Sequence, residues 1–208
     1  MARAGTTARK TRNQLEKRQA IFEAALNVFS EKGLRGATLE QVAKAAGLSK
    51  QNVVYYFNGK DQIYAELLES LLQKWVQPLH DLSAEGDPLD EILTYVSRKV
   101  QMSRNMPRES RLFATEILHG APRLGEVLPT DLKTMVDDKA AIIQGWMDDG
   151  KLAPLDPHHL IFSIWSMTQH YADFDVQVRS VLGPDRSATR FEDAERFIKD
   201  MLVRTLRP

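Results

Sequence analysis

The stretch from Thr38 to Lys60 most constrains what this chain can fold into. Thr38-Leu39-Glu40-Gln41 fits a capping box, in which the Thr38 hydroxyl and the Gln41 side chain reciprocally satisfy backbone groups at a helix start. Val42, Ala43 and Ala46 give that helix a short apolar face, and Gly47 ends it by adopting the positive φ that a helix cannot continue through. Ser49 caps a second start, and Asn58-Gly59 breaks the run from Lys50 to Tyr56 after about two turns. Lys60 then opens a third pattern. Two short helices around a tight turn, with a longer helix behind them, exclude a strand over this segment.

The same punctuation runs through the rest of the chain. Met1 to Arg12 is small, polar and basic without apolar period and reads as a flexible arm. From Gln19, Ile21, Ala25, Val28 and Phe29 recur at helical spacing up to a stop at Gly33. Ile63, Leu67, Leu68, Leu71, Leu72, Trp75 and Leu79 mark a long connecting helix from Lys60 to about Leu82. Further starts fall at Asp87-Pro88, Pro107, Thr130-Asp131 and Asp156-Pro157, with stops at Gly120, Gly150 and Gly183. No run of alternating β-branched residues suggests a strand. The expectation is an all-α protein of about nine helices. It has an arm over 1–12, a helix-turn-helix domain over 13–60 and a helical body over 61–208.

Charge separates the two parts. The chain carries 28 Lys+Arg and 28 Asp+Glu, yet residues 1–60 hold 11 basic against 4 acidic residues, and the remainder 17 against 24. A basic head on an acidic body suits a protein whose head alone approaches a polyanion, although a solubilising basic tail would give the same asymmetry. Zero cysteines exclude disulfides and thiolate chemistry. No apolar run approaches the roughly 18 residues of a membrane span, and the N-terminus lacks a signal-like core, so a cytoplasmic protein without a membrane partner is expected.

A helix that reads the major groove needs short exposed side chains for base edges and flanking groups that grip phosphates. Thr38 and Lys60, each at a helix start, suit phosphate oxygens. With Val53 and Phe57 facing the core, Ser49, Lys50, Gln51, Asn52, Tyr55 and Tyr56 remain available to a duplex. Lys50 and Gln51 can address purine edges, and the two tyrosine hydroxyls suit phosphates. Tyr55, Tyr56 and Phe57 could instead form an apolar cluster that closes a helical hairpin.

The segment TLEQVAKAAGLSKQNVVYYFNGKDQIY resembles the DNA-binding signature of TetR-type repressors, with the resemblance running over residues 18–65. It departs from the commoner pattern at Val54, where tyrosine is usual, and at Gly59, where Ser, Thr or Asn usually caps the next helix. The resemblance implies a homodimer joined through the last two helices, a palindromic double-stranded operator and a small-molecule effector pocket among the middle helices. Dimerisation has its own logic, since two heads on one duplex double the phosphate contacts.

In the body, apolar positions from Leu160 to Val178 and from Phe191 to Thr205 recur at helical spacing, and Ile161, Phe162 and Trp165 widen the first stripe beyond one face. Polar residues interrupt core-bound segments at Arg111, Glu116, Gln169, His170 and Asp173. Trp75, Phe113, Trp165 and Tyr171 supply flat walls for a slot, and Gln169 and Arg111 are the preferred readers of a ligand edge. The competing reading makes Arg111 and Glu116 a structural ion pair and puts His170 and Asp173 on the surface or at a dimer interface. SRLFATEILHGAP, GKLAPLDPHHLIF and IWSMTQHYADF further resemble the pyrimidine-utilisation repressors of the same family, which implies uracil or thymine as effector. A different small or hydrophobic effector is the alternative. No catalytic motif, metal spacing or cofactor loop is found, so neither an enzyme nor a cofactor is expected.

Overall fold

A computed structural model describes residues 4–208, with side chains from Asn13 onward save Glu126. Ten α-helices follow one another, with no strand among the described residues. They are α1 (Ala4–Gly36), α2 (Leu39–Ala45), α3 (Lys50–Tyr56), α4 (Lys60–His80), α5 (Pro88–Asn105), α6 (Pro107–Leu118), α7 (Lys133–Asp148), α8 (Pro157–Asp173), α9 (Asp175–Ser187) and α10 (Arg190–Leu206). A 3-10 turn (Gly125–Val127) and a π-helical turn (Leu128–Leu132) lead into α7.

Two boundaries differ from the sequence expectation. Helix α1 begins at Ala4, so residues 4–12 of the expected arm are helical and Met1 to Arg3 lie outside the described residues. Ala4, Ala8, Arg9, Lys10 and Arg12, residue types that propagate a helix well, make up five of its nine positions. The tenth helix arises because the apolar pattern through Val178 is cut at Phe174 (φ −112°, ψ 28°), which separates α8 from α9. Gly47 follows the end of α2 as the sequence suggests, whereas Gly33 kinks α1 three residues before its end; both hold positive φ, 65° and 66°, where any other L-residue would be strained.

The chain divides into two compact units, residues 1–71 and 72–208. In the first, Ile21, Ala25, Phe29, Val42, Val53, Phe57, Ile63 and Leu68 are all buried. The Phe29 ring meets Tyr64 edge-on at 5.1 Å, so the first part of α4 belongs to this unit and the head extends beyond Lys60. In the second unit, α5 packs against α8 and α10, and α6 and α7 also pack on α8. Ile92, Tyr95, Val96, Val100, Ile143, Trp146, Ile161, Ile164, Ile198 and Leu202 build its core.

Candidate functional site

The short helices of the head are held by their own caps. Thr38 Oγ1 accepts the Gln41 amide at 3.2 Å, and Gln41 Oε1 accepts the Thr38 amide at 3.1 Å. Ser49 Oγ accepts the Asn52 amide at 3.2 Å. Caps of this kind contribute about 1 kcal/mol each, which matters for seven-residue helices too short to persist alone. Between them the Leu48 amide donates to Ala43 O at 2.9 Å, closing the turn around Gly47.

Helix α3 buries Val53 and, at its C-cap, Phe57. Lys50, Gln51, Asn52, Val54 and Tyr55 are exposed, while Tyr56 is half-buried with the Tyr55 ring edge-on to it at 5.1 Å. Val54, the departure from the family pattern, is thus an apolar side chain at the surface. Lys50 reaches back to Glu40 on α2 at 2.5 Å, and this ammonium holds the Glu40 carboxyl below its ordinary range.

Lys60 has a different setting from the one expected. Its ammonium donates to Leu34 O at 2.8 Å and Ala37 O at 2.7 Å, so two of its three protons tie α4 to the end of α1. Arg18 is a structural residue that sequence reasoning passed over. It stacks 4.4 Å from the Phe57 ring centroid, donates to Tyr56 O at 3.2 Å and pairs with Glu66. An arginine on the first helix facing an aromatic at the end of α3 leaves no local trace in sequence.

The body contains a cavity of about 660 Å³. Trp75, Arg111, Phe113, Trp165 and Gln169 line it, together with Lys99, Ser110 and Asp173 and an apolar wall that includes Val76, Leu128 and Leu132. Trp165, Gln169 and Asp173 stand at successive one-turn intervals on α8 and share a face. Trp165 is braced by donating its indole N–H to the Tyr95 hydroxyl. Burial raises the Tyr95 pKa, so that hydroxyl stays protonated.

Glu116, His170 and Tyr171, expected in the pocket, lie outside this cavity. Glu116 is buried, but it accepts the Arg123 amide at 2.9 Å and pairs with the Arg123 guanidinium at 3.7 Å, closing the turn after α6. Arg111 is not its ion-pair partner and instead donates to Ala172 O at 3.1 Å. His170 is exposed and stacks on Phe174 at 5.0 Å, while Tyr171 packs toward Phe191 at 6.3 Å. One or two residues beyond Gln169, the helix has turned these rings to other faces.

Lys99, like Ser110, is a polar cavity residue that sequence reasoning missed. It is 1% exposed, and its Nζ lies 3.4 Å from Trp75 O and 5.0 Å from the Trp75 ring centroid. Burial pushes its pKa down to about 7, against the opposing pull of the Asp173 carboxylate. Asp173 is raised by its own burial, although it accepts a hydrogen bond from Ser110 Oγ at 2.5 Å. The signal lay in α5, where Lys99 occupies the same stripe as Ile92, Val96, Val100 and Ser103.

Short capped helices that present polar side chains around a glycine turn, followed in the chain by a helical body with a cavity, are the architecture of a helix-turn-helix regulator. Residues 21–67 match the bacterial regulatory proteins of the tetR family, and residues 68–208 match the C-terminal region of YcdC-like proteins. The chain belongs to the TetR family of transcriptional regulators. It is 43% identical over 204 residues to the HTH-type transcriptional regulator RutR of Escherichia coli strain K12, covering 98% of this chain and 96% of that one. It is 31% identical over 124 residues to the regulator AcrR of Shigella flexneri, covering 58% and 57% of the two chains.

Among solved structures, a transcriptional regulator of Streptomyces coelicolor superposes with a TM-score of 0.70 at 22% identity, over 89% of this chain and 97% of that one. The regulator AibR, solved with isovaleryl coenzyme A and operator DNA, superposes with a TM-score of 0.66 at 16% identity, over 89% and 97%. At these identities the two share the fold. Regulators of this family bind DNA operators and small-molecule effectors and are typically dimeric. No helix among the described residues is long and apolar enough to cross a membrane.

Proposed function

We propose that this chain is a homodimeric repressor whose grip on a palindromic operator is controlled by a flat pyrimidine, uracil or thymine, bound in the body cavity. The observation that carries this reading is the cavity itself. Flat walls from Trp75, Phe113 and Trp165 face a polar set of Lys99, Ser110, Arg111, Gln169 and Asp173, in a chain 43% identical to RutR along nearly its whole length. An aromatic slot with a few donors and acceptors suits a small heterocycle that exposes carbonyls and N–H groups on one edge.

In this reading Gln51 and Asn52 on α3 address base edges, and Lys50 does so after leaving Glu40. Thr38, Ser49, Tyr55 and Tyr56 contact phosphates. Lys60 acts through the N-terminus of α4 and its one remaining ammonium proton. The dimer forms through the last helices, where Phe162, Phe174, Val176, Val181 and Phe197 are exposed on α8 to α10 and the link between α8 and α9. Apolar side chains exposed in this number suit a partner helix pair. The effector acts by population shift, binding best to a body conformation in which the two heads no longer match successive major grooves. The cytoplasm, where operator and effector meet, is the compartment this reading requires.

The test is a mobility shift on operators selected from a random duplex pool, with and without uracil. Release of the duplex by uracil or thymine is the expected result. Duplex binding that neither compound alters sinks the pyrimidine part and leaves the regulator intact. Gln51→Ala is expected to relax preference at one base position. A second reading, a larger or more hydrophobic effector, is favoured by one observation: the cavity of about 660 Å³ exceeds what a pyrimidine fills, and Leu72, Val76, Ile117, Leu118, Leu128 and Leu132 make much of its wall apolar. A thermal-shift panel separates the two, since a ligand at about 100 times its Kd adds roughly 2.7 kcal/mol of stability.

A further inference from the structure

The cavity carries more polar chemistry than the protein itself satisfies. Lys99 has three N–H donors, yet its hydrogen bond is one long contact to Trp75 O at 3.4 Å. Trp75, 6% exposed, keeps its indole Nε1 without a partner. Both residues line the cavity. A Met or Leu at position 99 would fill the same space without desolvating an ammonium, so the chain bears a cost here that folding alone does not call for. Across the cavity wall, Asp173 is held by the Ser110 hydroxyl on one oxygen, and Arg111 fixes the adjoining Ala172 carbonyl.

From this geometry we infer that Lys99 and Asp173 together select the effector: the Lys99 ammonium donates to a ligand carbonyl oxygen, and the Asp173 carboxylate accepts from a neighbouring ring N–H, so the cavity takes a cyclic imide or lactam. This rests on reading the cavity as the effector site and adds which groups choose the ligand. A ring that offers only carbonyls would leave Asp173 without its donor. A ring methylated on its nitrogens would bring a methyl group against the carboxylate.

A proton accompanies the ligand. With its pKa near 7, Lys99 is largely neutral in the free protein above that pH, and a carbonyl oxygen on Nζ favours the charged form. Binding then draws a proton from solvent onto Lys99, and affinity falls as pH rises above about 7, by at most about tenfold per pH unit. The charges that face Lys99 fit this assignment. Helix α4 brings the Trp75 carbonyl and ring to Lys99 and α8 brings the Asp173 carboxylate, which in turn meets Ser110 and Arg111 of α6 and His170 of α8. On α10, Glu195 pairs with Lys199 and bonds toward Ser97 and Gln101.

The test is isothermal titration of the full-length protein with uracil, thymine and 1,3-dimethyluracil, at pH about 7 and about 8.5, each in two buffers of different ionisation enthalpy. Uracil and thymine are expected to bind with uptake of about one proton at the higher pH and with lower affinity there, while dimethyluracil does not bind. Lys99→Met is expected to abolish the proton uptake and cost about tenfold to a hundredfold in affinity. Asp173→Asn is expected to weaken binding and keep the uptake. Wild-type binding without proton uptake overturns the inference, whatever the variants do. So does a Lys99→Met protein that melts no earlier than wild type and binds uracil as wild type does, and in that case the effector reading stands. Silence toward both pyrimidines in the wild type overturns the inference and the pyrimidine reading together.

Discussion

The head and the body solve opposite problems with the same secondary structure. In the head, polar groups at the helix ends find partners close by: Thr38 and Gln41 cap each other, Ser49 caps α3, the Asn58 amide finds Gln62 at 2.7 Å, and Lys60 closes two carbonyls. In the body, the Trp75 indole, Ser103 Oγ and Glu109 Oε2 are buried without partners, and Lys99 has one long contact. A reader of DNA needs one geometry, and saturated hydrogen bonding specifies one. A sensor needs a site completed by something else, and of these groups the Trp75 indole and the Lys99 ammonium line the cavity and leave that completion open.

The sharpest way to break the comparison is to damage the head and watch the body. Phe57 is 1% exposed and lies 5.4 Å from the Phe22 ring, so Phe57→Ala is expected to cost about 3–5 kcal/mol in the head. Operator binding should disappear while the uracil-induced thermal shift of the body survives. Loss of both responses would show that the two units do not behave separately.

Second in size is the pH dependence of the body. Lys99 is pushed down to about 7 in the folded protein from an ordinary value of 10.5, so between those values the unfolded chain holds a proton that the folded one does not. Folded stability therefore rises with pH across that window, by up to about 1.4 kcal/mol per pH unit. The burial penalty is fully present below about 7. Denaturant titrations at several pH values should show that rise in wild type, with a flatter profile and equal or greater stability near neutrality in Lys99→Met. Equal slopes in the two proteins would remove Lys99 from the account.

Smaller effects probe the saturation of the head. Lys60→Ala leaves the carbonyls of Leu34 and Ala37 without their donor, and about 1–2 kcal/mol of stability should go with it. The salt dependence of operator binding separates this from a phosphate contact, which would lower the slope by about one. Ser49→Ala is expected to cost about 1 kcal/mol and to weaken all duplexes together, because it frays the start of α3. A loss confined to one base position would instead make Ser49 a base reader.

How much of this was legible depended on range. The capping box at Thr38, the Ser49 cap, the break at Gly33 and the stop at Gly47 were readable because each involves residues within four positions of one another. The cavity walls Trp75, Phe113 and Trp165 were readable as aromatics in otherwise core-bound helices. His170 and Tyr171 were misplaced because a helix rotates about 100° per residue, and only packing decides which of several greasy faces meets the cavity. Glu116 looked like a ligand group for the same reason. Its partner, Arg123, lies seven residues on in a turn with no sequence period.

The sequence by itself determined the all-helical class, the order of caps and turns in the head, and membership of a regulator family, since these follow from local hydrogen bonding and from residue order. Only the tertiary structure decided that Lys60 spends its ammonium on carbonyls of α1 and the turn after it. It also decided that a lysine on the apolar stripe of α5 is buried beside an unpartnered tryptophan. Both depend on what another helix brings to the same point in space, and no spacing along one chain segment encodes that meeting.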